Sequence, residues 1–411
     1  MQFLQHTLAN GLEVVAECND EAHSSAVAFF VQTGARDETD DISGVSHFLE
    51  HMMFKGTPTR TYDDVNRGFD DVGAHPNAAT GEENTVYHAA MLPEYQDHVV
   101  ELWSDVLRPA LREEDFVTEK QVIIEEIRMY DDQPPFGAHE KCLARYFGGH
   151  PLGRSILGTV ESITNLPVDA MREYFQRRYS PRNIVLVGSG KIDFDALVAS
   201  VERYCGHWQP FDAGRDATPA TPHHGFHSLC KPSATQEYVV QLAAGPAAND
   251  ADRYAAKILA TVLGDDTGSR IYWELVDPGV AENAALGHSD YQGAGLFMTF
   301  MGCDPEFVEQ NLRTLNALYQ QAEADGVTQA ELDQAKSKIC SRIVLASERP
   351  RGRLWTVGGN WTQRREYRSV KDDLAAVEAV TLDDLHTVLA KYPLTRSTTM
   401  AIGPLEVVSG E

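Results

Sequence analysis

The order of strand-like and helical patterns in this chain runs through once, stops, and starts again. Residues 26–34 (AVAFFVQTG) form an apolar run rich in β-branched and aromatic side chains, which predicts a strand. Residues 44–54 (GVSHFLEHMMF) carry apolar groups at helical spacing, with Ser43 as a candidate cap. Residues 84–92 return to strand character, 94–108 and 116–130 predict helices, and 183–190 (NIVLVGSG) predict a buried strand. Residues 209–224 are rich in Pro, Ala, Thr and Asp and have no period, which predicts a linker. The order then repeats, with strands at 235–244 and 295–302 and helices at 252–264, 305–324 and 327–347. MLPEYQDHVVEL is echoed by CDPEFVEQNLRTL, and REEDFVTEKQVIIEEI by VTQAELDQAKSKICSRI. A repeat of this length predicts an α+β fold of two homologous domains, each a mixed or antiparallel β-sheet packed with helices. The expected division is residues 1–209, a linker at 210–224, and residues 225–411.

Charge and composition narrow the function. The chain has 61 acidic residues against 35 Lys and Arg, a net charge of −26 with His neutral. That charge argues against nucleic-acid binding, which needs a basic footprint. No run approaches the roughly 18 apolar residues of a membrane span. The first residues, MQFLQHTLANGLEVV, hold no basic and apolar leader and read as strand, Asn-Gly turn, strand, so the expected location is cytoplasmic. Cys18, Cys142, Cys205, Cys230, Cys303 and Cys340 are scattered, so neither a disulfide framework nor a cysteine zinc site is expected.

The chemistry is concentrated at His47-Phe48-Leu49-Glu50-His51. On a helix His47 and His51 are one turn apart on one face, and both can reach a zinc ion at about 2.0–2.1 Å. Glu50 lies on the same side and can take a proton from a water held there. A catalytic zinc takes three protein ligands and keeps one open position. Glu119, Glu125 and Glu126 offer carboxylates on an otherwise apolar helix, and Glu119 and Glu126, at i and i+7, share a face.

HFLEHMMFKGT (47–57), followed 75 residues after His51 by Glu126, resembles the pitrilysin/insulinase family of inverted zinc metallopeptidases, in its processing-peptidase-like branch. NGLEVV (10–15), GARDET (34–39), VGAHPNAATGEENTVYHAAML (72–92), GHPLGRSILGT (149–159) and YSPRNIVLVGSG (179–190) continue the resemblance in order. The resemblance implies a zinc metalloendopeptidase with one zinc per chain on His47, His51 and Glu126, and Glu50 as catalytic base. It also implies that Glu119, seven residues before Glu126, orients a histidine from behind. Asn77 and Ala78 match the family element that holds a substrate peptide as an added strand.

Two departures matter. With Gly264 matched to Gly56, Ala255, Ile258 and Leu259 stand where the second half would carry its motif. Val276 and Glu282 occupy the positions of an Arg and a Tyr that in active members help hold substrate. These departures imply a peptide-cleaving subunit completed by a homologous partner that carries the Arg/Tyr pair. A homodimer is the alternative, and a structural or assembly subunit without hydrolysis is the second reading. His223, His224 and His227 read as linker residues, His75 as a cleft or surface residue, and Arg154 as a loop tie.

Overall fold

The structure is a computed structural model that describes residues 1–408. It opens with a hairpin. β1 (Gln2–Thr7) and β2 (Glu13–Cys18) pair antiparallel, and Gly11 takes φ +90° between them, a conformation glycine adopts at no steric cost. There follow β3 (Ser25–Val31), β4 (His75–Thr80), β5 (Thr85–Met91) and β6 (Ile184–Gly190). β3 and β6 are buried along their whole length, as continuous apolar runs require of strands covered on both faces. Beyond the linker come β7 (Gly225–Cys230), β8 (Glu237–Ala244), β9 (Asn283–Tyr291), β10 (Ala294–Cys303) and β11 (Ser397–Gly403).

Among the described residues these strands form two sheets, ordered β1-β2-β6-β3-β5-β4 and β7-β11-β8-β10-β9. Without β1 the two orders correspond place by place. The parallel pair falls at the same place in each, β2 with β6 and β7 with β11. The repeat in the sequence is therefore a repeat of sheet topology.

The chain divides into two compact units, each assembled from three segments. The first comprises Met1–Arg128, Arg154–Asp216 and Leu345–Arg368, and the second Met129–Gly153, Ala217–Val344 and the segment from Ser369 onward. Each unit includes a helix from the opposite half of the sequence. Helix Pro350–Arg364 lays Leu354 and Val357 against Val15, Ala26, Ala28, Val185 and Val187 of the first sheet. Helix Pro134–Phe147 lays Ala138, Cys142, Leu143 and Tyr146 against Val240, Leu242, Met400 and Ile402 of the second. The alternate residues of the first sheet, Val14, Val27, Phe29 and Tyr87, face the opposite way into its main core. A division at 209 and 225 does not mark this exchange, because an amphipathic helix carries the same pattern whichever sheet it covers.

Part of the linker is held firmly in the first unit. Arg215 donates from Nε to Asp37 Oδ1 at 2.9 Å, and Arg178 meets the same carboxylate at 2.9 Å. Arg36 pairs with Glu83 at 2.8 Å beside them. The side chain of Asp37, in GARDET, is 2% exposed, and its charge is tolerated because Arg178, Arg215 and the Gly34 N–H enclose it.

Candidate metal centre

Helix Val45–Met53 buries Val45, Phe48, Leu49, Met52 and Met53 and leaves His47, Glu50 and His51 as a half-buried polar stripe. Phe48 stacks on Phe116 with ring centroids 4.7 Å apart, which docks this helix against helix Glu113–Asp132. The second helix buries Ile123, Ile124 and Ile127, and Glu119 with them.

Ser43 does not cap the motif helix. Gly44 occupies that position at φ +89°, and a Cβ added there would lie 2.4 Å from the Leu157 carbonyl oxygen. The buried Glu38 takes over the capping role: its carboxylate accepts the N–H of Gly44 at 2.7 Å and of Ser46 at 2.8 Å. Its two oxygens satisfy orphan donors of the helix N-terminus, and burial pushes this carboxyl up to about 8 against those hydrogen bonds. A short serine side chain at 43 is the pattern expected locally, and the carboxyl group of Glu38, six residues before Gly44, takes its place.

The two helices bring His47, His51 and Glu126 together, with one ligand atom from each within 4.8 Å of the others. Nε2 of His47 lies 3.8 Å from one Glu126 oxygen, and Nε2 of His51 lies 3.6 Å from the other. Ligands at about 2.0–2.1 Å around a tetrahedral zinc stand roughly 3.3–3.5 Å apart, so the donor set fits that ion with small adjustments. Two imidazoles and a carboxylate are also the donor chemistry of a catalytic rather than a closed structural zinc site. Among the described residues no second such group occurs, and His223, His224 and His227 do not form one.

Glu119 stands behind His51. Its Oε1 accepts from His51 Nδ1 at 2.9 Å, and its Oε2 meets Lys55 Nζ at 2.6 Å. Glu125 points elsewhere: it is 70% exposed and pairs with Arg128 at 2.6 Å. Glu50 accepts a hydrogen bond from Thr80 Oγ1 at 2.5 Å. Thr80 ends β4, which is an edge strand. Asn77 is exposed on that strand, and the Ala78 N–H donates to the Asn77 side-chain oxygen at 2.9 Å. That N–H is therefore turned away from β5, toward the open edge. His75 is exposed at the start of β4, and Arg154 ties to Asp40 at 3.1 Å.

The electrostatics follow from burial and neighbours. Burial, with His51 close by, pushes His47 down to about 3, so it is a neutral imidazole at physiological pH. Burial also pulls His51 down, but the Glu119 hydrogen bond and the Glu126 and Glu50 charges outweigh it and leave His51 raised. Burial raises Glu50 against the pull of Thr80, and raises Glu126 against the pull of His51. Glu119 is lowered, because hydrogen bonds from His51 and Lys55 overcome its burial. A divalent cation would pull the whole group toward its metal-binding protonation states.

Residues 13–160 match the model described as Insulinase (Peptidase family M16), and residues 165–339 match Peptidase M16 inactive domain. A chain named as an uncharacterized zinc protease of Mycobacterium tuberculosis is 32% identical over 405 residues, covering 95% of this chain and 90% of that one. The chain belongs to the insulinase family of peptidases. Another member, named as an uncharacterized zinc protease of Bacillus subtilis, is 28% identical over 401 residues and 97% of each chain. Among solved structures, a protease from Helicobacter pylori matches with a TM-score of 0.92 at 23% identity, over 98% of this chain and all of that one. A peptidase M16 inactive domain from Pseudomonas fluorescens matches with a TM-score of 0.90 at 18% identity, over the whole of both chains. At those identities the likeness is one of fold.

In this insulinase-family chain the second unit keeps the topology without the motif. Ala255, Ile258 and Leu259 are all buried in helix Arg253–Gly264, where they build its core. Val276 packs partly buried against the same core, and exposed Glu282 accepts a hydrogen bond from Gln236. Sequence patterns missed Glu38, Lys55 and Thr80. Lys55 lies within the motif segment, but its tie to Glu119 depends on how two helices pack. Thr80 is thirty residues from Glu50, and no local period connects them.

Proposed function

We propose that this chain is a zinc-dependent endopeptidase subunit, with zinc on His47, His51 and Glu126 and Glu50 as the base. The observation that carries this reading is the three-ligand group with a fourth, non-ligating carboxylate beside it. Zinc held there supplies a Lewis acid for a peptide carbonyl and lowers the pKa of a water toward about 7. A peptide strand laid along β4 takes its main-chain hydrogen bonds from the open edge at Ala78, with Asn77 beside it. Main-chain pairing tolerates many side chains, so the substrate class is extended peptide rather than one sequence. Glu50 accepts the proton of the attacking water and returns it to the departing amine, so the carbonyl carbon gains an oxygen and the C–N bond breaks. Glu119 holds His51 in the tautomer that presents Nε2.

Val276 and Glu282 support a division of labour. Neither side chain donates a hydrogen bond to a developing oxyanion, and Val276 already serves the core of its own unit. A homologous partner that brings an Arg and a Tyr would complete the machinery. The same two residues favour the second reading, a non-catalytic assembly subunit, if no such partner exists. The test is turnover of peptides by the zinc-loaded chain, alone and with a homologous chain carrying the pair. Turnover that rises on mixing and vanishes with Glu50→Gln supports the proposal. Full turnover by the chain alone, unchanged on mixing, would replace the heterodimer with a self-sufficient enzyme. No turnover in either case leaves the assembly subunit.

A further inference from the structure

We propose that Thr80 is the positioning residue for the Glu50 carboxylate and ties the base to the edge strand on which a peptide is held. The inference rests on the peptidase reading above. The Thr80 hydroxyl donates to Glu50 Oε2 at 2.5 Å. A hydroxyl carries one proton, so its donation engages one oxygen of Glu50 and leaves Oε1 to receive the proton of a water. A glutamate on a helix has three side-chain torsions, and a carboxylate without a fixed partner spreads over several rotamers. Thr80 removes that freedom.

The place of Thr80 in the sheet gives the bond a further consequence. Along β4 exposure alternates, His75, Asn77 and Ala79 being open and Pro76, Ala78 and Thr80 less so. Ala78 and Thr80 therefore share a face, and both belong to the strand that borders the open edge. A peptide paired at Ala78 lies two residues, about 7 Å of strand, from the group that holds the base. The registry between peptide and base is thus set by one short stretch of backbone. If the base were held from a separate loop, the two distances would vary independently. Misplacing a reacting group by about 1 Å costs up to about 10²-fold in rate, so loss of this hydroxyl is expected to lower kcat about 10- to 100-fold.

The decisive variants are Thr80→Val, which keeps the shape and loses the donor, and Thr80→Ser, which keeps the donor. They are assayed on internally quenched peptides in the zinc-loaded protein, with its partner where turnover requires one. Thr80→Val should keep its zinc, its melting temperature and its KM while kcat falls, and Thr80→Ser should recover kcat to within about threefold of the wild type. A Val variant with kcat within twofold of wild type overturns the proposal. So does a loss of kcat that tracks lost zinc or lost fold, or a Ser variant as slow as Val. A crystal structure of zinc-loaded Thr80→Val is the second readout: Glu50 should leave its wild-type position while His47, His51 and Glu126 stay. If the wild type cleaves nothing, the peptidase reading fails, and the crystal comparison alone judges Thr80; an unmoved Glu50 carboxylate then overturns it.

Discussion

Glu119 decides which nitrogen His51 offers. Its carboxylate can only accept, so the 2.9 Å contact places a proton on Nδ1 and leaves Nε2 as the nitrogen that faces Glu126.

Removing that acceptor should loosen the metal without removing a ligand. Glu119→Ala is expected to weaken zinc binding about 10- to 100-fold, measured by competition with a chromophoric chelator. Glu125→Ala should leave affinity unchanged, because Glu125 is exposed on Arg128. Equal losses in the two variants would shift the carboxylate register by one residue.

Direct ligands should behave more severely. The purified chain is expected to hold about one zinc, and His51→Ala should lose most of it, because two remaining ligands are too few. Metal analysis that finds full occupancy in His51→Ala rejects the assignment of His47, His51 and Glu126.

Glu50 separates binding from chemistry. Glu50→Gln should retain zinc and lose about 10²–10⁴ in rate, because the amide cannot accept the proton. Undiminished cleavage by a zinc-loaded Gln variant would exclude Glu50 as the base.

Acid sensitivity in the second unit should depend on Glu331. The Arg270 fork, with Nε at 2.7 Å and Nη2 at 2.9 Å, and donors from Thr328 hold its carboxyl down at about 2. A depressed carboxylate stabilises the folded state above its unfolded value and loses that contribution as pH falls through its folded one. The window is therefore from the ordinary carboxylate range near pH 4.5 down to about 2. Glu331 is partly exposed, so solvent screening limits the contribution to about 1 kcal/mol. Urea unfolding should show Glu331→Gln less stable than wild type at about pH 7, with the gap narrowing by about pH 3. A gap that widens with acid would contradict the sign.

Arg215 is the linker residue with the largest expected effect. Arg215→Ala leaves Asp37 with Arg178 and the Gly34 N–H, and losing one of its charged donors in a buried setting costs about 1.5–3 kcal/mol. Chemical denaturation of the two proteins measures it, and a loss below about 1 kcal/mol would mean that the carboxylate is hydrated.

How much of this was legible follows from where each signal lives. The spacing of His47, Glu50 and His51 is a local property of one helix, and the helix is where the apolar pattern places it. The Glu119–Glu126 pair shares a face for the same reason. Partners supplied from a distance leave no such mark. Thr80 reaches the helix residue Glu50 from a strand thirty residues away, and Glu38, though only six residues before Gly44, caps the helix through a turn of the chain that no helical period marks. The topological repeat was visible as an order of patterns. The destination of helix 350–364 was not, since its apolar stripe fits either sheet.

That helix bears on why the half without metal ligands persists. The sheet beneath His47 and Glu50 is sealed on one face by Leu354 and Val357, which the chain supplies only after completing most of the second repeat. The second sheet is sealed in turn by residues 138–146, from the first repeat. Truncation at the linker would strip both sheets of a cover, exposing Val15, Val185 and Val187 on one and Val240 and Leu242 on the other. The portion that holds the motif therefore cannot keep both faces of its sheet buried when cut at the linker. The second repeat thus serves the fold of the first, whatever residues stand at its own 255, 258 and 259.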